Sequence, residues 1–313
     1  MRDKLILDTD GGVDDAQALL MLIAAGRTPD AVTTVFGNVD LDGATRNILT
    51  VLTVAGAGDV PVHRGAPAAL VNPPIVAHEI HGADGLGGAP RPPALPEAAG
   101  ADAVEFLMAE LRAAIAGGWK VDLLMIGPLT NLALALRAAP DCAAGIGRLV
   151  IMGGTIDGRG NVTPAAEFNI YADPEAARIV LTAGLDTLLV PWETCADHRM
   201  PAAEVAALFA GAPDNASTRF SAALSTHAMK TIKGFTGKDY FRFVDPLAAA
   251  VMIDPSVVTE SLRASVDVAL APGLTRGMVV VDPSGRLKTP PVTLLRKADI
   301  ARVIALYSAS VTA

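Results

Sequence analysis

Cysteine is nearly absent from this chain of 313 residues: only Cys142 and Cys195 occur, and no CxxC spacing is present. That excludes a cysteine-built zinc site and suits a reducing compartment. Aromatic residues make up only 4% against 51% hydrophobic residues overall, so the core must be built from Ala, Val and Leu. No apolar run approaches the roughly 18 residues that suggest a membrane-spanning helix, and Met1-Arg2-Asp3-Lys4 leads directly into the first strand, leaving no room for a signal peptide. A cytoplasmic protein with no membrane partner is the expectation. There is no excess of basic residues either: the formal net charge of −8 argues against a nucleic-acid partner, though not against a small nucleoside.

Positive charge is missing in one stretch above all. From Leu5 to Gly26 there is no Lys or Arg, yet this segment contains Asp8-Thr9-Asp10-Gly11-Gly12-Val13-Asp14-Asp15. Four carboxylates thus lie between an apolar run, Leu5-Ile6-Leu7, and a helical pattern starting near Ala16. Two carboxylates about 4 Å apart repel by about 4 kcal/mol at an effective dielectric of 20. A helix amino end offsets part of this, and a hard divalent cation with oxygen ligands offsets more. Helix capping with solvated neighbours explains one or two such residues; four favour a metal.

The rest of the chain alternates short β-rich runs with Ala/Leu-rich helical stretches. Predicted strands are Lys4–Leu7, Ala31–Phe36, Val60–His63, Val121–Met125, Leu149–Met152 and Thr187–Val190. Predicted helices cover Asp15–Ala25, Gly43–Ala55, Ala101–Ala116, Asn131–Ala138 and Pro174–Ala183. Nearly all-apolar strands alternating with helices indicate an α/β fold, an open, mainly parallel, doubly wound sheet with a Rossmann-like core. Beyond Pro191 the pattern predicts helices at Pro201–Leu208, Ala216–Lys230 and Pro246–Met252, with a polar loop before Val244. Short strands at Val257–Leu262, Val266–Leu270 and Gly277–Val281 and a final helix at Lys297–Ser308 complete this C-terminal elaboration. Residues 1–313 are read as one domain. The Pro- and Gly-rich stretch Pro67–Pro96 reads as a long functional loop.

Polar residues fall where such a sheet binds ligands, just outside the carboxyl ends of its strands. The strand ends lead to the Asp cluster, to Gly37-Asn38, to His81-Gly82-Ala83-Asp84-Gly85, to Ile126-Gly127-Pro128-Leu129-Thr130-Asn131, to Met152-Gly153-Gly154 with Asn161 and Glu167-Phe168-Asn169, and to Trp192-Glu193-Thr194. Gly127 and Pro128 delay the next helix and leave the Ile126 carbonyl free for a ligand. Glu167 and Asn169, read as extended, point the same way. Amides and carboxylates without a cation suit neutral hydroxyls better than phosphate. Asp245 offers a further carboxylate to a cation, although Asp before Pro also caps a helix.

These motifs carry a resemblance. Asp8-Thr9-Asp10-Gly11-Gly12-Val13-Asp14-Asp15-Ala16 resembles the amino-terminal signature of the inosine–uridine-preferring nucleoside hydrolase family. Gly37-Asn38-Val39, His81-Gly82-Ala83-Asp84-Gly85, Gly127-Pro128-Leu129-Thr130-Asn131, Met152-Gly153-Gly154, the run Gly160 to Asn169, Asp173-Pro174-Glu175-Ala176-Ala177 and Asp245-Pro246-Leu247-Ala248 follow in family order. The resemblance implies hydrolysis of ribonucleosides to ribose and free base with a bound Ca²⁺, in a homodimer or homotetramer. It assigns the metal to Asp10, Asp15, the Ile126 carbonyl and Asp245. It assigns the ribose hydroxyls to Asp14, Asn38, Asn161, Glu167 and Asn169, with Met152 lining the sugar. Asp10 is then the base for the attacking water, and the site's carboxylates face an oxocarbenium-like transition state.

Two positions depart from the family pattern. Gly11 stands where a proline is more usual, a change expected to be tolerated. Val244 stands where many members carry the histidine thought to protonate the leaving base. His81 is then the remaining acid or base-binding group, with Tyr240, His227 and Arg242 behind it; Trp119 reads as core and Trp192 as core or rim. Base preference stays open. A nucleoside or ribose binder that has lost its proton donor is one alternative. A haloacid-dehalogenase-like phosphatase, suggested by Leu7-Asp8-Thr9-Asp10-Gly11, is another, but that motif wants Thr or Val where Gly12 stands and has no place for the later motifs.

Overall fold

The computed structural model describes residues 3–312. Its strands are β1 (Lys4–Thr9), β2 (Ala31–Thr34), β3 (Val62–Arg64), β4 (Ala99–Asp102), β5 (Val121–Met125), β6 (Ile146–Met152), β7 (Thr187–Val190), β8 (Arg199–Pro201), β9 (Tyr240–Arg242), β10 (Val258–Val268), β11 (Val279–Asp282) and β12 (Pro291–Ala298). Ten of them form one sheet in the order β11-β10-β12-β7-β6-β5-β1-β2-β3-β4, and β8 pairs with β9 separately. Every neighbouring pair from β12 to β4 is parallel, while β10 runs antiparallel to both β12 and β11.

Alternation along the strands explains why both faces are covered. Leu5 and Leu7 of β1, Leu124 of β5 and Val150 and Met152 of β6 pack into one apolar cluster with the helices Val13–Ala24 and Asp245–Ile253. Ile6, Leu123, Met125, Leu149 and Ile151 point the other way, into a second cluster with the helices Ala103–Gly117, Thr130–Ala138 and Pro174–Leu181. A strand buried on both sides reads as a continuous apolar run. Each Leu is fully buried and contributes about 1.5–3 kcal/mol. A charge at Leu7 would strike the centre of the sheet.

The chain winds outward from β1 through β2, β3 and β4, then returns to β5 on the other side of β1. The crevice between the carboxyl ends of β1 and β5 is therefore the topological switch point, where ligands bind in such sheets. The Asp cluster follows β1 and Ile126 follows β5.

The C-terminal third differs from the sequence-based expectation. Val257–Leu262 and Val266–Leu270 are one strand, β10, whose polar middle (Arg263, Ser265) reads as a break; a register shift near Glu260 marks its irregularity. β12 is unexpected and extends the parallel sheet. Its Lys297 falls at the start of the predicted last helix, which instead begins at Ile300, capped by Asp299 accepting from the Ala301 and Arg302 N–H groups. The helix expected to end at Lys230 runs over Ala216–Thr236, and the polar loop beyond it contains β9. Within the long loop, His78–His81 forms one helical turn. Asn47 ties the loop down by donating to the Gly11 and Asp84 carbonyls. Among the described residues, no helix is long and apolar enough to cross a membrane.

Candidate active site

Gly11 turns the chain after β1 at φ +69°, a conformation closed to proline, and a Cβ there would lie 2.6 Å from the Ala44 Cα. The departure from the family pattern at this position therefore comes with its own turn geometry. Gly37 permits a second close approach. A Cβ on it would fall 2.1 Å from the Asp10 Oδ2, so its absence lets the carboxylate rest against the backbone.

Asp10 is fully buried and doubly held: its Oδ2 accepts from the Asn38 backbone N–H at 2.8 Å and its Oδ1 from the Asn38 Nδ2 at 2.8 Å. The same Nδ2 donates to the Asp15 Oδ2 at 3.0 Å. Asp15 also accepts from the Gly12 N–H at 2.8 Å and from the Thr9 hydroxyl, capping the helix Val13–Ala24. Asp14 has a buried Oδ1 with no hydrogen-bond partner. Asp245 opens the helix Asp245–Ile253 ahead of Pro246 and is buried.

Oxygens of Asp14, Asp15 and Asp245 lie within 4.8 Å of one another. Burial and then the neighbouring carboxylates push Asp10 and Asp245 well above the ordinary range. Burial raises Asp14 to about 6, and burial together with Asp14 raises Asp15. A buried set of oxygen donors that repel one another, with an orphaned oxygen among them, fits a hard divalent cation. Of the expected ligands, Asp15 and Asp245 belong to this group. Asp14, expected on the sugar, joins them, while Asp10 stands outside it in the grip of Asn38. The Ile126 carbonyl, expected to be free, accepts from the Asn169 Nδ2 at 3.0 Å.

The expected sugar-binding residues converge, but not in the expected conformation. Glu167 and Asn169 are not an extended pair: Glu167 is the N-cap of a short helix, Phe168–Ala172, and Asn169 lies in its first turn. The Glu167 carboxylate accepts from the N–H groups of Asn169 (2.9 Å), Gly154 (2.9 Å) and Ile170 (3.3 Å), yet burial still raises it to about 7. The Asn169 amide also donates to the Met152 carbonyl at 3.2 Å, and the Asn161 Oδ1 accepts from the Phe168 N–H at 2.8 Å. Asp14, Asn38, His81, Ile126, Met152, Asn161, Glu167, Asn169 and Asp245 all line one cavity of about 510 Å³. Asp10 and Asp15 lie behind its wall.

His81 is buried and its Nδ1 accepts from the Val13 N–H at 3.1 Å, 3.6 Å from the Asp14 Oδ1. Burial lowers its pKa to about 4. At neutral pH it is an uncharged imidazole with its proton on Nε2, which suits the base-binding half of the expectation, acid or base-binding group, better than the acid.

Sequence reasoning places three features of the cavity incompletely or not at all, reading Trp192 as core or rim and Arg242 as lying behind His81. Gln17 lines it, its Nε2 donating to the Ser225 Oγ at 3.2 Å. Trp192 lines it as well, with the Arg242 guanidinium 4.7 Å from its ring centroid, so the cavity contains a cation after all. The third is the helix Ala216–Thr236, which presents Ala228, Thr231, Ile232 and Phe235. Their i, i+3, i+4, i+7 spacing was the available signal, lost by ending the helix at Lys230.

Comparisons with known proteins identify the family. The family model described as inosine-uridine preferring nucleoside hydrolase matches residues 5–305. The chain is 36% identical over 287 residues to a protein of Salmonella schwarzengrund named pyrimidine-specific ribonucleoside hydrolase RihA, covering 89% of this chain and 88% of that protein. It is 44% identical over 193 residues to uridine nucleosidase 1 of Arabidopsis thaliana, covering 60% of this chain and 56% of that one. Among solved structures, the plant nucleoside hydrolase PpNRh1 superposes with a TM-score of 0.91 at 30% identity, over 99% of both chains. By sequence, fold and the gathering of its motifs at one crevice, this chain belongs to the inosine–uridine preferring nucleoside hydrolase family.

Proposed function

We propose that this protein hydrolyses the N-glycosidic bond of ribonucleosides to ribose and free base, with Ca²⁺ as its resident cation. The observation that carries the reading is the meeting of Asp14, Asp15 and Asp245 within 4.8 Å, with Asp14 and Asp245 lining a cavity that Asn38, Asn161, Glu167 and Asn169 also line. Asp15 and Asp245 would hold the ion with Asp14 beside them, and Asp10 and the Ile126 carbonyl, held in the structure by Asn38 and Asn169, would complete the set the resemblance implies; the bound ion would neutralise the carboxylates and orient a water and the sugar hydroxyls.

The chain's own residues do the rest. Asp14, Asn38, Asn161, Glu167 and Asn169 hydrogen-bond the ribose hydroxyls, and Met152 lies against the sugar. Asp10, made more basic by burial and by Asp15, accepts the proton of the attacking water. Negative groups around the sugar stabilise the positive charge of an oxocarbenium-like transition state. Neutral His81 contributes an N–H and fixes the first turn that carries Asp14 and Asp15. The names of the Salmonella and Arabidopsis relatives make uridine the first substrate to try.

Incubation with uridine, cytidine, inosine and adenosine in the presence of Ca²⁺, with an assay for reducing sugar, tests the reading. Release of ribose from at least one is expected. Val244 at the leaving-group position favours one other reading, a nucleoside binder, and release from none with binding retained would establish it.

A further inference from the structure

One cavity gathers the polar set Asp14, Asn38, Glu167 and Asp245 and, with it, Trp192, Arg242 and Phe235 from the C-terminal part of the chain. The polar set suits the sugar, which leaves the aromatic and cationic side chains to meet the base. Val244 lines the cavity too and has no proton to give. Yet a nucleobase leaves with the electron pair of the broken bond, and something must receive that charge.

Arg242 sits two residues before Val244, at the end of β9. Its guanidinium lies over the Trp192 ring at 4.7 Å, and its Nη2 donates to the Tyr240 hydroxyl at 3.0 Å. Its Nε is buried and has no hydrogen-bond partner. No carboxylate is paired with it in an ion pair among the described residues. A buried donor without an acceptor, on a guanidinium braced by two aromatic side chains, is a group waiting for an acceptor from a ligand.

We propose that Arg242 is the leaving-group residue of this enzyme, stabilising the departing base as an anion rather than protonating it, and that it favours bases with carbonyl oxygens, such as uracil. The inference rests on the glycosidase reading above. The C1′–N bond breaks with its electron pair going to the base nitrogen. The water oxygen bonds to C1′ and its proton passes to Asp10. The base anion, its charge spread onto its carbonyl oxygens, is held by the guanidinium until it takes a proton from solvent, and Asp10 returns its own to solvent. Arginine stays protonated in proteins, so it serves by donating hydrogen bonds and not by giving up a proton.

The test compares uridine with p-nitrophenyl riboside, whose leaving group departs readily without help, in the calcium-supplied wild type and in Arg242→Gln and Arg242→Lys. In R242Q, kcat on uridine should fall by about 100-fold, as on removal of a donor to developing negative charge, while the p-nitrophenyl riboside rate falls far less. R242K, keeping the charge without the planar fork, should lie between. Turnover of p-nitrophenyl riboside itself reports an intact site, and R242K carries the same comparison should R242Q melt early. Equal losses on the two substrates, or an unchanged uridine rate, would overturn the role of Arg242. A wild type that cleaves p-nitrophenyl riboside but no natural nucleoside would also overturn it while sparing the glycosidase reading. A wild type that cleaves neither overturns that reading instead.

Discussion

Asn38 holds Asp10 at both carboxylate oxygens, through its backbone N–H and its side-chain amide, each at 2.8 Å. The amide then reaches on to Asp15 at 3.0 Å, so one residue at the end of the second strand sets the spacing of two acids that follow the first. Charge-assisted hydrogen bonds of this kind fix geometry as well as lower energy. What they fix here is the base of the proposed reaction.

Replacing Asp10 by Asn removes that base and sets an amide against the amide of Asn38. Asp10→Asn should lower kcat on the best nucleoside by at least about 10²–10³-fold, measured by steady-state release of reducing sugar. Turnover within a factor of two of wild type would show that another group accepts the proton.

Metal-free protein should lose stability as pH rises. Burial holds Asp8 and Glu167 at about 7 and Asp14 at about 6 in the folded chain, against about 4 for unfolded carboxyls. Between those limits these three groups bind more protons in the folded state than in the unfolded one, so the stability they contribute is full below about pH 4 and is lost as pH climbs through 6 and 7. A cation at Asp14, Asp15 and Asp245, all raised by burial, replaces the protons held there. The rise in Tm on adding Ca²⁺ should therefore be larger at pH 7.5 than at pH 5, which calorimetry at both values checks. The difference cancels surface ion pairs common to both samples. A larger rise at pH 5 would contradict the account.

His81→Ala should act through position, not proton transfer. Loss of the acceptor for the Val13 N–H frees the turn that carries Asp14 and Asp15, and one such hydrogen bond is worth about 1 kcal/mol, or about five- to tenfold. The kcat/KM values for uridine and p-nitrophenyl riboside should drop by similar factors. A far greater loss on uridine would restore His81 as the acid.

How much of this was legible in the sequence follows from burial. β1, β5, β6 and β7 are covered on both faces, so their nearly unbroken apolar runs mark them plainly. β12 is central too, but Pro290 and Pro291 cut into its front and Arg296 and Lys297 stand exposed near its end, hiding Val292, Leu294 and Leu295. Motifs on loops after strands were readable because carboxylates and amides concentrate there. The conformation of Glu167 and Asn169 was not readable, since only the backbone N–H groups of Gly154, Asn169 and Ile170, brought together by the fold, make Glu167 a cap. Arg242 reads from the sequence only as a residue behind His81, for a similar reason. Its meaning comes from Trp192, fifty residues away, and from the pairing of β9 with β8 that brings the two together.

The acidic cluster at the switch point is the claim on which the chemistry stands, and chelation tests it most directly. The initial rate of nucleoside hydrolysis is measured on protein stripped with EGTA, with metal content verified by mass spectrometry, and again after Ca²⁺ is restored. The account predicts near-complete loss followed by recovery. An undiminished rate in protein shown to contain no divalent ion would contradict it.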